Sequence, residues 1–192
     1  MILGFMRNFP WKGDDGEKEL TNFREKILAG VGRIAVDFYG QSQSRSFEYV
    51  SVDNEASYEP KIHTFREDPH NRWKAGMKVQ MVYRGAGYKI IDHFNKDIPE
   101  LDKIKSIQKI KIKYHCSDSM ECNPIITIDG KLYGDFAKFP NLDLKEAAQK
   151  GFKELRLLCG NDGFESVSQF KKWFKKDWEG KILHFTDFRY EL

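Results

Sequence analysis

Apolar and polar residues alternate with a period of two in several parts of the chain, which predicts β-strands. The clearest case is residues 109–114, where Ile110, Ile112 and Tyr114 alternate with three lysines. This pattern is typical of a strand with one buried face and one cationic face. Similar patterns predict strands over residues 2–6, 77–84 and 181–190, and Asp129-Gly130 after an apolar run predicts a two-residue hairpin turn. Residues 10–19 are polar and are predicted to be rich in turns.

Three other segments carry apolar residues at helical spacing. The first contains Leu20, Phe23, Ile27 and Leu28 and is predicted to end at Gly30. The second covers residues 144–158, with a predicted cap at Gly160. The third begins after a predicted N-cap at Ser166. Its predicted buried stripe is Val167, Phe170, Trp173, Phe174 and Trp178, and its other side carries Lys171, Lys172, Lys175 and Lys176.

The strands outnumber the helices and are mostly joined by short connections, so the pattern predicts an α+β domain with a curved or barrel-like sheet. The chain has 192 residues, of which 40% are hydrophobic, and we expect a single domain over residues 1–192. Residues 31–60 differ from their surroundings. Two short strand patterns flank a serine-rich stretch there, which predicts an inserted hairpin.

The net charge of +3 is unevenly distributed. Residues 61–84 hold six Lys or Arg against two acids, residues 102–113 hold five against one, and residues 171–181 hold five against two. The three cysteines are odd in number and match no zinc-binding spacing, so we expect a reducing, cytoplasmic location with no metal and no cofactor. No apolar run is long enough to span a bilayer, and no membrane partner is expected.

The densest polar cluster covers residues 61–76 and includes Lys61, Thr64, Arg66, Arg72 and Lys74. On an ideal strand Lys61 and Thr64 fall on opposite faces, so their side chains converge only at a bulge or a turn. A charged edge strand followed by a surface loop is the structural alternative for this cluster.

The run of residues 61–76 resembles the signature of ASCH domains, which are PUA-like β-barrels. It is especially similar to the small bacterial amidohydrolases that remove the acetyl group from N4-acetylcytidine. The helix ending at Gly30 resembles the opening helix of that family, with residues 31–60 intervening before the motif. Residues 161–166 resemble the turn that carries the family's catalytic glutamate. Residues 180–187 resemble the ending of phage-encoded ASCH-like proteins of unknown function.

This resemblance covers most of the chain except residues 31–60 and much of 85–103. It implies a curved PUA-like barrel with flanking helices, and hydrolysis of an N-acyl group on a cytidine-type nucleoside. Lys61 matches the catalytic lysine, Thr64 the nucleophilic or substrate-orienting threonine, and Asp162 the glutamate position, although aspartate is one methylene shorter. A lysine activates a hydroxyl when burial or a nearby cation lowers its pKa, and Arg66 would supply that cation or hold an oxyanion. Asn-Asp-Gly at residues 161–163 is equally typical of a structural turn.

The alternative function is a non-catalytic module that binds RNA or another single strand, such as a phage factor acting on host RNA or protein in the host cytoplasm. Trp73 would then either plug the barrel or offer a stacking surface, with Phe65 and Tyr83 as further stacking candidates. Arg66, Arg72 and Lys74 would contact phosphates, and the lysine-rich segments would extend that path. A third interpretation is a protein-binding role for residues 31–60.

Overall fold

The computed structural model describes residues 1–12, 17–31, 60–85, 89–116, 122–134 and 144–191. These parts contain ten strands and three helices, which confirms the predicted α+β class. The helices are α1 (Phe23–Gly30), α2 (Leu144–Asn161) and α3 (Val167–Trp173). The strands are β1 (Ile2–Met6), β2 (Asn8–Lys12), β3 (Lys18–Leu20), β4 (His63–Arg66), β5 (Gln80–Arg84), β6 (Ile90–His93), β7 (Ser106–Cys116), β8 (Cys122–Ile128), β9 (Lys131–Gly134) and β10 (Trp178–His184).

Five antiparallel strands form the main sheet, in the order β4-β10-β7-β8-β9. A second sheet contains β1, β5 and β6, with β1 parallel to β5, and a third ladder joins β2 to β3. No ladder between the described strands joins these sheets into a closed barrel. Arg66 links the first two sheets instead, because its guanidinium donates to the Gly4 carbonyl at 2.7 Å and lies over the ring of Phe5.

The predicted two-faced strand is confirmed in β7. Ile110 and Ile112 are fully buried, and the intervening Lys109, Lys111 and Lys113 are exposed. Successive side chains of a strand point to opposite faces, so the isoleucines reach the core while the lysines remain in solvent. The same alternation places Ile126 and Ile128 of β8 on the core side of the main sheet, whereas β10 ends in three consecutive buried residues and is covered on both faces there.

The hairpin between β8 and β9 is also confirmed. Asp129 and Gly130 have φ values of 50° and 80°, as a two-residue turn of type I′ requires. The Asp129 carboxylate accepts hydrogen bonds from the backbone N–H of Lys109 at 2.8 Å and from Gln108 Nε2 at 3.0 Å. These bonds tie the turn to β7.

The prediction of a turn-rich stretch from residue 10 is wrong, because β2 and β3 lie there. Phe9 and Trp11 alternate with polar residues, and their rings stack with centroids 4.6 Å apart. Pro10 is compatible with this two-stranded ladder, because each of its strands has one unpaired edge. The backbone N–H that proline lacks is not needed on that edge. The strand is indicated by the alternation of Phe9 and Trp11, and not by the turn preference of Pro10.

The predicted N-cap at Ser166 is confirmed, but α3 is shorter than its apolar stripe. Ser166 Oγ accepts from the backbone N–H of Gln169 at 3.1 Å. The helix ends at Trp173, and Trp178 belongs to β10, where it lies opposite Ile112. The ladder with β7 therefore overrides the helical spacing of Trp178. Because of this pairing, the last strand begins at Trp178 and not at the predicted residue 181.

The predicted cap at Gly160 is wrong, because α2 continues to Asn161 and turns at Gly163. The Gly163 N–H donates to the Gly160 carbonyl at 2.7 Å, and the Phe164 N–H donates to the Cys159 carbonyl at 3.0 Å. This pair of bonds is a Schellman motif, which needs a left-handed residue, and Gly163 has φ 85°. Asp162 therefore becomes the last residue before the reversal.

Residues 32–59, which include nearly all of the predicted inserted hairpin, lie outside the described residues. The insert and the single-domain assignment stay predictions.

Replacing Gly163 with alanine is expected to destabilise the protein more than the same change at Gly76. Both residues have positive φ, so each alanine costs about 1–2 kcal/mol of backbone strain. Only at Gly163 does the new Cβ crowd its surroundings, lying 3.1 Å from Lys61 Cδ and from the Phe23 ring. The overpacking adds about 1–3 kcal/mol.

Urea denaturation of Gly163→Ala and Gly76→Ala measures the difference, because nothing lies within 4 Å of a Cβ at Gly76. Equal losses in the free energy of unfolding for the two variants would show that crowding against Lys61 does not affect stability.

Candidate functional site

Lys61 lies immediately before β4, where the chain passes close to α1. Its backbone N–H donates to the Lys26 carbonyl at 2.8 Å. A Cβ at Gly30 would lie 2.7 Å from the Lys61 carbonyl oxygen, so a side chain at that position would block the approach. Gly30 therefore does more than end a helix. It allows the segment that carries Lys61 to pack against α1.

The Lys61 ammonium is buried against the end of α2, where it meets Asp162. Nζ donates to Asp162 Oδ1 at 2.5 Å and to the Asp162 carbonyl oxygen. Burial lowers the pKa of Lys61 to about 8, although the Asp162 carboxylate opposes this shift. Burial by itself raises the pKa of Asp162, but the Lys61 ammonium outweighs it and holds that pKa below its usual value. At pH 7 Asp162 is therefore ionised, and most of the Lys61 amine is protonated.

His63 extends this pair into a chain of buried polar groups. Asn161 Nδ2 donates to Tyr190 Oη at 3.0 Å, and Oη lies 2.8 Å from His63 Nε2. The Tyr190 hydroxyl therefore links Asn161 to the imidazole of His63. Nδ1 lies 3.8 Å from Asp162 Oδ1. Burial lowers the pKa of His63, so the ring is neutral at pH 7.

A second buried histidine, His184, lies beside His63, with ring centroids 5.5 Å apart. Its Nε2 lies 3.1 Å from Gln108 Oε1, and the amide nitrogen of Gln108 donates to Asp129 and to the Tyr190 carbonyl. Gln108 Oε1 is thus the acceptor, and the proton of His184 is assigned to Nε2. Burial lowers the pKa of His184 to about 3.

Thr64 lies on the opposite face of β4 from this cluster. Strand residues alternate between faces, so Thr64 shares a face with Arg66 and not with His63. Its side chain is buried and forms no hydrogen bond with Lys61 or Asp162. Two of the three residues predicted for catalysis, Lys61 and Asp162, are therefore in contact, and the third is separated from them by the pleat.

Asp68 organises the loop that follows β4. Its carboxylate accepts hydrogen bonds from the backbone N–H groups of Arg72 and Trp73 at 2.6 and 3.0 Å. Lys181 Nζ lies 2.6 Å from Asp68 Oδ2. The Trp73 side chain packs in the core, while Arg72 and Lys74 are exposed. Of the two alternatives predicted for Trp73, the structure shows the buried one, and Arg72 and Lys74 face solvent.

An open cleft of about 620 Å³ lies beside the end of β4. We call it the tryptophan cleft. It is formed by the end of α3, the loop that follows it and the start of β10. Aromatic and charged side chains are combined in its walls, and the lining residues are Glu67, Trp173, Phe174, Lys175, Lys176 and Trp178.

The indole of Trp178 is held rigidly in this cleft. A Cβ at Gly180 would lie 2.4 Å from the indole Cη2, so the ring can lie across the strand only because residue 180 is glycine. The Phe174 ring packs against it with centroids 5.0 Å apart. Trp178 Nε1 donates to Glu67 Oε1 at 3.1 Å. The ring is thus positioned by contacts on several sides.

Phe65 connects the cleft to the buried ion pair. Its ring stacks on His63 with centroids 5.1 Å apart, and on the cleft side it lies 5.8 Å from Phe174 and 6.2 Å from Trp178. His63, Phe65 and Glu67 therefore follow one face of β4 and its continuation. The buried cluster lies at one end of this face and the tryptophan cleft at the other.

Tyr83 lines a smaller cleft of about 240 Å³, together with Arg7, Arg24 and Asp92. Arg24 and Asp92 form an ion pair at 3.3 Å. Burial raises the pKa of Tyr83 to about 12, so its hydroxyl keeps its proton at pH 7. Tyr83 does not line the tryptophan cleft.

The lysine-rich segments separate in space. Lys175 and Lys176 line the tryptophan cleft. The exposed lysines of β7 lie on the outward face of the main sheet, where Lys111 pairs with Glu179 at 3.0 Å. Lys172 lies over the ring of Trp11 at 5.9 Å. Only part of the predicted phosphate path therefore borders an open cleft.

Comparison of the chain with protein-family models, with curated proteins and with solved structures finds no match. Within the described ranges, no three His, Cys, Asp or Glu side chains are grouped so as to hold a metal ion. None of the described helices is long and apolar enough to cross a membrane. The functional conclusion therefore rests on the geometry of the two ends of β4.

Sequence reasoning missed His63, Tyr190 and Glu67 as members of the site. The two-residue spacing from Lys61 through His63 to Glu67 is a signal that was available for two of them, since it places them on one strand face. Tyr190 offers no local signal, because its contacts with His63 and Asn161 join residues far apart in the chain.

We expect the free energy of unfolding to fall as the pH is lowered from 7 to 5. His63 and His184 have lowered pKa values in the folded state, so their contribution to stability is complete above pH 6.5 and is lost as the pH falls below it. His184, whose pKa is about 3 in the folded state, accounts for about 2 kcal/mol over this range. His63 changes the free energy of unfolding in the same direction.

Urea denaturation at each pH measures this loss, and His184→Gln is expected to reduce it by about 2 kcal/mol. His70→Gln is the matched control because His70 is exposed. A pH dependence that His184→Gln leaves unchanged would contradict the assignment of His184 as a buried neutral group.

Proposed function

We propose that the protein is a nucleobase-recognising domain that binds single-stranded RNA in the tryptophan cleft. The observation that carries the proposal is the rigid Trp178 indole beside two lysines in an open cleft of about 620 Å³. Unpaired bases of RNA stack on aromatic side chains, and lysines bind the adjoining phosphates. A cleft with both kinds of group fits a nucleotide.

The positioning of Trp178 favours a binding role for it. Gly180 and Phe174 fix the ring before any ligand arrives, so stacking a base on it loses little side-chain entropy. The charges in the cleft suit an anionic ligand. Neither Lys175 nor Lys176 forms an ion pair with a described residue.

The proposal includes membership of the ASCH group of PUA-like barrels. It is supported by the order of the motif residues Lys61, Thr64 and Arg66 along β4, and by the link that Arg66 makes to Gly4 between the two larger sheets. It is also supported by the turn at Asp162, which lies between two helices as the resemblance implies. A curved barrel would bring these sheets together around the same core.

Removing the cleft's side chains is expected to weaken RNA binding. Trp178→Ala should raise the Kd for a fluorescein-labelled single-stranded RNA decamer about tenfold, since stacking contributes about 1–3 kcal/mol per base. Lys175→Gln with Lys176→Gln should reduce the slope of log K against log salt by about 1.4, because each phosphate contact to a single strand contributes about 0.7. Fluorescence anisotropy at several salt concentrations measures both effects.

Lys109→Gln with Lys113→Gln is the matched control, because it removes the same charge from exposed positions on the outward face of β7. Circular dichroism verifies the fold of Trp178→Ala. If the control pair weakens binding as much as the cleft pair, RNA binds the lysine face of the main sheet and not the cleft.

A second candidate function is hydrolysis of an N-acylated cytidine at Lys61 and Asp162. It is supported by their direct ion pair and by the lowering of the Lys61 pKa to about 8, which leaves roughly a tenth of the amine neutral at pH 7. A neutral lysine can accept the proton of a hydroxyl nucleophile, and the Asp162 carboxylate can take that proton from the resulting ammonium and pass it to the leaving amine. The proposal is second because these side chains are only 1% and 6% exposed, and Thr64 lies on the other strand face.

This second function predicts that purified protein converts N4-acetylcytidine to cytidine, measured by liquid chromatography. Thr64→Val should abolish the conversion while retaining the fold, because valine has the same shape without the hydroxyl. Glu179→Gln, an exposed change on β10, should leave it intact. Unchanged N4-acetylcytidine after prolonged incubation with folded protein rules out this activity.

A further inference from the structure

We propose that Glu67 selects the base that enters the tryptophan cleft, and that this base is guanine. The inference rests on the proposed RNA-binding function and names the ligand of the same cleft. Its basis is the position of a carboxylate at the edge of a fixed aromatic ring, with cations nearby on the cleft wall.

Glu67 is oriented by the ring that would stack the base. Trp178 Nε1 donates to Glu67 Oε1 at 3.1 Å, so the carboxylate lies next to the indole rather than extending into solvent. Glu67 is exposed, and it forms no ion pair with any described residue. Each carboxylate oxygen has two acceptor positions, and the bond from Trp178 uses one of the four. The carboxylate therefore retains free acceptors in the cleft.

A carboxylate with free acceptors distinguishes the four bases by the donors on their pairing edges. Guanine presents two adjacent donors, N1–H and the N2 amino group, which match the two oxygens of a carboxylate. Adenine and cytosine present one amino group next to a ring nitrogen whose lone pair would face the second oxygen. Uracil presents one N–H between two carbonyl oxygens. Stacking is similar for all bases, so hydrogen bonds at Glu67 would provide the selection.

The cations of the cleft define the rest of the ligand. Glu67 alone would repel a phosphate, but Lys175 and Lys176 line the same cleft and carry the larger opposing charge. A base with two donors would bind the Glu67 carboxylate, and its phosphate would bind the two lysines. The chemical class is therefore a guanosine nucleotide within a single strand.

The test uses four uridine nonamers that carry guanosine, adenosine, cytidine or uridine at the central position, with binding measured by fluorescence anisotropy. The wild-type protein is expected to bind the guanosine nonamer roughly 10- to 100-fold more tightly than the others, the range that one bidentate base contact provides. Glu67→Gln is expected to remove this preference and to favour adenosine, because an amide offers one donor and one acceptor. Glutamine also keeps an acceptor for Trp178 Nε1.

Glu179→Gln is the control, since it removes one exposed negative charge from β10 outside the cleft, and it should preserve the guanosine preference. Equal affinity of wild-type protein for all four nonamers, weakened by Trp178→Ala, would overturn the selectivity and leave RNA binding intact. Absence of binding to every nonamer would overturn the proposed function as well. A guanosine preference that survives Glu67→Gln would show that another group reads the base.

Discussion

The buried ion pair between Lys61 and Asp162 is the constraint on which the arrangement of the elements depends. A charge taken out of water is tolerated only with a partner, and removing one member of a buried pair costs about 3–5 kcal/mol. The start of β4 must therefore meet the C-terminal end of α2, whose free carbonyl groups also favour a cation. Lys26 adds a second cation there by donating to the Gly163 carbonyl at 3.0 Å. Two helices and the main sheet converge on one turn.

Much of the fold follows from local chemistry and was predictable for that reason. The alternation around Ile110, the turn at Asp129 and the cap at Ser166 each depend on a few adjacent residues. Predictions failed where tertiary packing decided the outcome. Trp178 has helical spacing from α3, yet the hydrogen bonds of the β7 ladder place it in a strand. At Pro10 the ladder with β3 decided the structure against the turn preference of the residue.

The candidate site divides in the same way. The family resemblance pointed to Lys61 and Asp162, and the pleat of a strand was enough to anticipate that Thr64 faces away from Lys61. The contact between Glu67 and Trp178 joins residues 111 positions apart, so no local pattern encodes it. The two-residue spacing from His63 places Glu67 on the same strand face, but nothing in the sequence indicates that Trp178 lies beside it.

The alternation along β4 has a consequence for how such a protein can diverge. Two residues, His63 and Phe65, stand between the ion pair that the fold requires and the cleft that faces solvent. Substitutions at Glu67 or in the loop after α3 change the open end without disturbing the buried charges. The shape and charge of the cleft can thus change almost independently of the buried ion pair. One short strand separates the residues that determine stability from those that face solvent.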